Sequence, residues 1–141
     1  MAGFHSPFDT LGLAWAAAPV VISNNTAMVS AILDVQGHEN ITFVVVTGTL
    51  ADADATFTFL VEHDDDDGFG TATAAPDECL DPLEADASFD ETLDNGVRYI
   101  TYTPGRGAGK RFVRCTLTPA GNAAAAPLAM IAVTKPYSYG A

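Results

Sequence analysis

Three histidines, His5, His38 and His63, are the natural candidates for proton transfer or metal ligation. They fall in the N-terminal arm, in a turn and at a strand end, and no HExxH or HxH pair joins them. A catalytic metal needs ligands at fixed spacing, so surface or capping roles are the expectation and no metal site is read. The run Asp64-Asp65-Asp66-Asp67-Gly68 invites a calcium loop. Counted from Asp64, position six is Phe69 and position twelve is Ala75. An EF-hand needs glycine and glutamate there, so the run reads as a solvated acidic turn, with a cation at a subunit junction as the alternative. Gly105 to Arg111 (GRGAGKR) lacks the first glycine of a phosphate loop, because Pro104 stands in its place. Arginine rather than serine or threonine follows Lys110, so nucleotide binding is rejected.

The serines Ser6, Ser23, Ser30, Ser88 and Ser138 include none in a GxSxG elbow. Carboxylates are abundant but lie mostly in loops, where no apolar pocket would raise one pKa to make an acid. No catalytic residue and no cofactor is therefore assigned, and the chain is read as a non-enzyme. Cys79 and Cys115 are too few for a disulfide scaffold and have no CxxC spacing. Cys115 alternates with Val113 and Leu117, which places it inward on a strand; a Cys79–Cys115 bridge is the alternative.

The whole chain sets the frame for these residues. It has 141 residues, enough for one domain with a single core. Apolar residues make up 48% and charged residues 17%, a folding composition. Its formal net charge of -12 disfavours nucleic acid and anionic membrane surfaces as partners. The apolar stretch Leu11 to Ile22 is too short to span a membrane. It follows Asp9 and no basic residue, so a signal-free chain made in the cytoplasm is expected.

Short strands broken by turns account for most of the sequence. Thr26 to Asp34 is one candidate, and Ile41 to Thr49 is a stronger one. The continuous run Phe43 to Val46 suits a strand covered on both faces. Ala55 to His63 alternates, with Phe57, Phe59 and Val61 on one face. Asp64 to Asp94 reads as a long acidic excursion with a short strand near Thr71 to Ala74. Val97 to Thr103 and Arg111 to Thr118 alternate again, about a glycine-rich segment read as a hairpin tip. Pro127 to Thr134 is the last candidate. Such spacing predicts an all-β fold, a small sandwich or barrel of about 6–8 antiparallel strands. Residues 1–19 are assigned to an extended arm, 20–135 to the β-domain and 136–141 to a tail.

All 18 acids precede Arg98, and all six basic residues lie from Arg98 to Lys135. If the basic segment packs beside the acidic excursion, its charges are consumed within the molecule. If it projects, it makes one cationic patch on an anionic body. In the arm, Phe4, Phe8 and Trp15 either pack on their own domain or anchor it to a neighbouring protein.

Three stretches carry a likeness: Val21 to Thr26 (VISNNT), Gly48 to Phe57 (GTLADADATF) and Leu117 to Asn122 (LTPAGN). Over about Val20 to Val133 the chain resembles small head proteins encoded beside the major capsid gene in tailed bacteriophages. The resemblance implies a decoration or cement protein on the outside of the assembled shell. Its partner would be the major capsid protein, its state a homo-oligomer with a trimer favoured, and its place the virion surface. No catalytic residue carries over. On that expectation Phe4, Phe8 and Trp15 would be apolar anchors, and Arg106, Lys110 and Arg111 charged contacts. The alternative is a tail- or fibre-associated module that stacks aromatics such as Tyr137 and Tyr139 on a host-surface glycan. A hydrolase using loop carboxylates is the remaining, weaker possibility.

Overall fold

The computed structural model describes residues 11–137. Two antiparallel sheets pack face to face as an open sandwich, and no barrel closes. The five-stranded sheet has the order β1 (Gly12–Ile22), β11 (Ala126–Pro136), β4 (His38–Thr47), β9 (Val97–Tyr102) and β7 (Leu80–Asp81). The six-stranded sheet is built on β10 (Phe112–Ala120) and β5 (Thr56–Asp64). On its outer side β10 pairs with β2 (Met28–Val29) and β3 (Leu33–Asp34). On the other side β5 pairs with β6 (Thr73–Ala74) and β8 (Phe89–Asp90). The only α-helix among the described residues is the single turn α1 (Glu84–Ala87), so no helix there could cross a membrane.

Period-two alternation builds the core from both sheets. Ile41, Phe43 and Val45 on β4 and Leu128, Met130 and Ala132 on β11 point inward from one sheet. Phe57, Phe59 and Val61 on β5 and Val113, Cys115 and Leu117 on β10 meet them from the other. Phe89 stacks on Phe57 with ring centroids 4.9 Å apart, so the acidic excursion is tied down by an aromatic. Cys79 and Cys115 are both free and buried.

Several sequence expectations change. Residues 12–19, assigned to an arm, belong to β1, which pairs with β11 from Gly12 to Ile22 and buries Ala16 and Ile22. The candidate strand Thr26–Asp34 splits into β2 and β3, because both partner β10 separately. The glycine-rich segment is not a hairpin tip: β9 and β10 lie in different sheets, so the chain crosses the sandwich there. A short helical turn at Pro104–Arg106 opens that crossing.

The three stretches that carried the likeness converge at one end of the sandwich. Asn122, buried, donates from Nδ2 to the carbonyls of Ile22 (3.2 Å) and Asn24 (3.0 Å). Its backbone N–H donates to Asn25 Oδ1 at 2.8 Å. The N–H of Ala123 donates to Asp52 Oδ2 at 2.7 Å. Gly121 sits at φ +66, where a Cβ would come within 2.7 Å of the Asp54 carbonyl oxygen. Only glycine turns the chain from β10 to β11 at this place without strain.

Candidate functional site

The two outer faces of the sandwich differ in kind. On the six-stranded sheet the outward positions include Thr56, Thr58, Thr116 and Thr118. Arg114 Nη2 there donates to Glu62 Oε1 at 2.9 Å and lies over the Phe69 ring at 4.7 Å. That face is mixed, with Leu60 and Val29 exposed among the threonines and Arg114 Nε left without a partner.

The five-stranded sheet is largely apolar at the centre of its outer face as well as inside. The register lines Trp15, Ile131, Val44 and Tyr99 in one row across four strands. A second row runs Leu13, Val133, Thr42 and Thr101. A third sets Ala129 beside Val46 and Val97. Trp15 is 65% exposed, Leu13 and Tyr99 each 55%, and Val97 54%. None of these positions carries a charge; the charges of this face stand at its margin, Asp81 beyond Thr101 on β7 and Lys135 beside Asn40. One shallow groove of about 380 Å³ runs beside Val20, Val46 and Pro127, and another of about 330 Å³ lies against Leu13, Trp15 and Ile131. Contiguous exposed apolar surface of this kind marks a contact surface. The run Phe43–Val46 was expected to be covered on both faces; among the described residues nothing covers its outer side, and Val46 stands exposed.

Of the residues singled out in the sequence, Trp15 lies on this face. Phe4 and Phe8 lie outside the described residues. Arg111 is engaged: its Nε and Nη2 bond the two carboxylate oxygens of Asp34 at 3.0 and 2.8 Å. That fork holds the Asp34 carboxyl below its usual range. Lys135 pairs with Glu39 at 2.8 Å. The basic segment therefore spends Arg111 and Arg114, and β11 spends Lys135, inside the molecule. Arg106 and Lys110 form no ion pair among the described residues, and they follow β9, on the far side of the sheet from Trp15. Three strand spacings separate β1 from β9, roughly 14 Å, so the anchors and the cations do not form one site.

The remaining polar clusters are structural. Asp64 is buried, and its carboxylate accepts the N–H groups of Asp65 (2.7 Å), Asp66 (3.3 Å) and Thr71 (2.9 Å). Burial opposes its ionisation, but these bonds and the Thr71 hydroxyl outweigh it and lower its pKa. Among the described residues no three His, Cys, Asp or Glu side chains are grouped to hold a metal. Burial raises the pKa of Glu84, whose Oε1 accepts the Val61 N–H at 2.6 Å. Burial also raises both thiols, so neither cysteine is an activated nucleophile.

His63, expected at the surface, is buried against Tyr102. The Tyr102 hydroxyl accepts the Lys110 N–H at 2.7 Å and donates to the Lys110 carbonyl at 3.0 Å. With its proton on that carbonyl, the hydroxyl takes His63 Nδ1 at 2.8 Å as a donor.

No protein-family model matches the chain, and no curated protein sequence matches it. Among solved structures it is similar to the PBSX exported protein XepA, with a TM-score of 0.58 at 9% identity. That superposition covers 100% of this chain and 42% of XepA, so the chain spans less than half the length of that protein. It is also similar to the xylan-binding domain of CBM 22, with a TM-score of 0.46 at 12% identity, over 92% of this chain and 84% of that one. At such identities the likeness establishes a β-sandwich and nothing finer.

Proposed function

We propose that this protein is a structural virion component that binds the outer surface of a phage capsid and stabilises the head. The observation that carries this reading is the uncharged, largely apolar centre of the outer face of the five-stranded sheet, with Trp15 and Tyr99 exposed upon it. A rigid sandwich with such a patch on one outer face is suited to fastening onto another protein. The major capsid protein is the partner, and Arg106 and Lys110 add charged contacts beside the β9 margin. Binding only the assembled lattice draws the equilibrium away from dissociation. Repetition over many equivalent sites adds avidity if neighbouring copies are joined.

Heads lacking the protein, incubated with the purified chain, provide the test. The wild type should bind and raise the temperature at which heads open. Trp15→Ala combined with Tyr99→Ala should lose occupancy while melting within about 0.5 kcal/mol of the wild-type stability, since both side chains are exposed. Wild type that ignores heads, or a double variant that binds them undiminished, overturns the reading.

One observation favours a second reading, a tail- or fibre-associated module for a host-surface glycan. Trp15 and Tyr99 present rings on one face, and Tyr137 is exposed just past β11. Glycan-array binding that the same double variant abolishes, without binding to heads, would select it.

A further inference from the structure

A sheet edge offers unpaired backbone groups, and sandwiches shorten or block their edges to avoid joining other chains. This molecule does so nearly everywhere. The six-stranded sheet ends in β2 and β3 on one side and β6 and β8 on the other, each two residues long. The five-stranded sheet ends at β7, also two residues, with Asp81 and Pro82 closing it. Two exceptions stand among the described residues: β1, eleven residues long, with β11 on one side only, and Val97–Ile100 of β9, which the short β7 does not reach.

The two halves of β1 are not alike. Its register slips between Trp15 and Ala17 and again between Ala17 and Val20. Pro19 removes a donor, and the Ala16 carbonyl accepts the Ala31 N–H at 2.8 Å. Bulges, proline and a capping contact thus guard the second half. Gly12 to Trp15 has none of these devices.

The charge layout says what fits this edge. No charged residue occurs from Leu11 to Ile22, and β11 behind it carries no acid. On this sheet the acids of the described strands are Glu39 on β4, paired with Lys135, and Asp81 on β7 at the opposite margin. Asp34, Glu62 and Asp64 lie on the other sheet, and Asp9 precedes the edge outside the described residues. Two copies, each of net charge -12, can therefore meet along this edge without opposing carboxylates. A head-to-tail ring would have to set this uncharged edge against Val97–Ile100 of β9, which carries Arg98. A twofold arrangement lets the one uncharged edge serve both partners and leaves the Arg98 run out of the seam.

We propose that the protein forms a closed pair, in which Gly12–Trp15 of two copies add to each other as antiparallel strands. The two five-stranded sheets then become one continuous sheet. Leu13 and Trp15 lie at the seam, and the apolar faces join into a single surface of double area. This goes beyond the capsid reading and does not depend on it.

Sedimentation equilibrium of the full chain over the micromolar range tests the pair. The wild type should reach twice the mass of one chain. Ala14 is exposed on the unguarded half, so Ala14→Lys or Ala14→Glu adds like charges across the seam and should weaken association roughly tenfold or more. An equimolar mixture of the two variants should regain the pair, which shows that both remain folded. Tyr99→Lys, three strands away, should leave the mass unchanged. A monomeric wild type, a trimer or larger ring, or a pair broken by Tyr99→Lys and not by Ala14→Lys overturns the proposal. Loss of head binding without loss of the pair bears on the capsid reading alone.

Discussion

Tyr102 shows how one hydroxyl ties a crossing segment to the core. It sits wholly buried on β9 and holds the N–H and carbonyl of Lys110, while His63 approaches from β5. Burial pushes its own pKa up to about 12, so it stays a neutral donor. Tyr102→Phe removes one oxygen and leaves three partners unpaired, buried His63 and the half-buried N–H and carbonyl of Lys110. We expect a loss of about 1–3 kcal/mol in urea unfolding, with the sheet signal in circular dichroism retained. His63 makes a second prediction. Burial holds its pKa below the usual 6.5, with the Lys110 charge acting in the same direction and Asp65 and Asp64 opposing. A depressed histidine takes up its proton more readily when unfolded, so stability falls as pH drops below 6.5 toward the folded-state pKa. Asp34, Asp52, Asp64 and Asp90 are depressed from 3.8, so their loss of stability comes at lower pH. Stepped-pH melts should therefore show an upper limb in the wild type that His63→Gln flattens. A limb unchanged in that variant assigns it to other groups.

At the level of strands and turns, the connection from β10 to β11 depends on a single glycine. Gly121→Ala should cost about 1–3 kcal/mol, read as a lowered melting temperature, because its φ of +66 is strained for alanine and its Cβ meets Asp54. The Asp64 loop gives a local counterpart. Asp64→Asn removes one acceptor oxygen of a carboxylate that takes three N–H groups, so hydrogen exchange should quicken at residues 65–71 before the core yields. The long strands β5, β10 and β11 were legible because each alternates one covered face with one open face. β2, β3, β7 and β8 were not, since two residues have no period. β1 escaped for a different reason. Its alanines and Pro19 give no alternation, and its place is set by β11, more than a hundred residues later. The apolar outer face was half legible: Phe43 to Val46 announces two apolar sides, but only the structure shows that one lies open. Arg111 could not be paired from sequence, because Asp34 reaches it through the β3–β10 register.

For the molecule as a whole, the position of β1 limits how it can be shortened. Removing residues 1–18 takes away most of an edge strand and Ala16 from the core, and bares the side of β11. That truncation should melt lower and aggregate, a difference that parallel thermal scans with light scattering would register.

The order of the five-stranded sheet carries one more consequence. β11, the last of the described strands in chain order, lies between β1 and β4, which come far earlier. A ribosome must therefore make everything as far as β11 before β1 gains its one strand partner among the described residues and β4 its second. Until then the nascent polypeptide carries open strand edges, and long-range closure of this sort is slow. Premature termination anywhere ahead of Ala126 would yield not a smaller working domain but a fragment destined for chaperones or proteases.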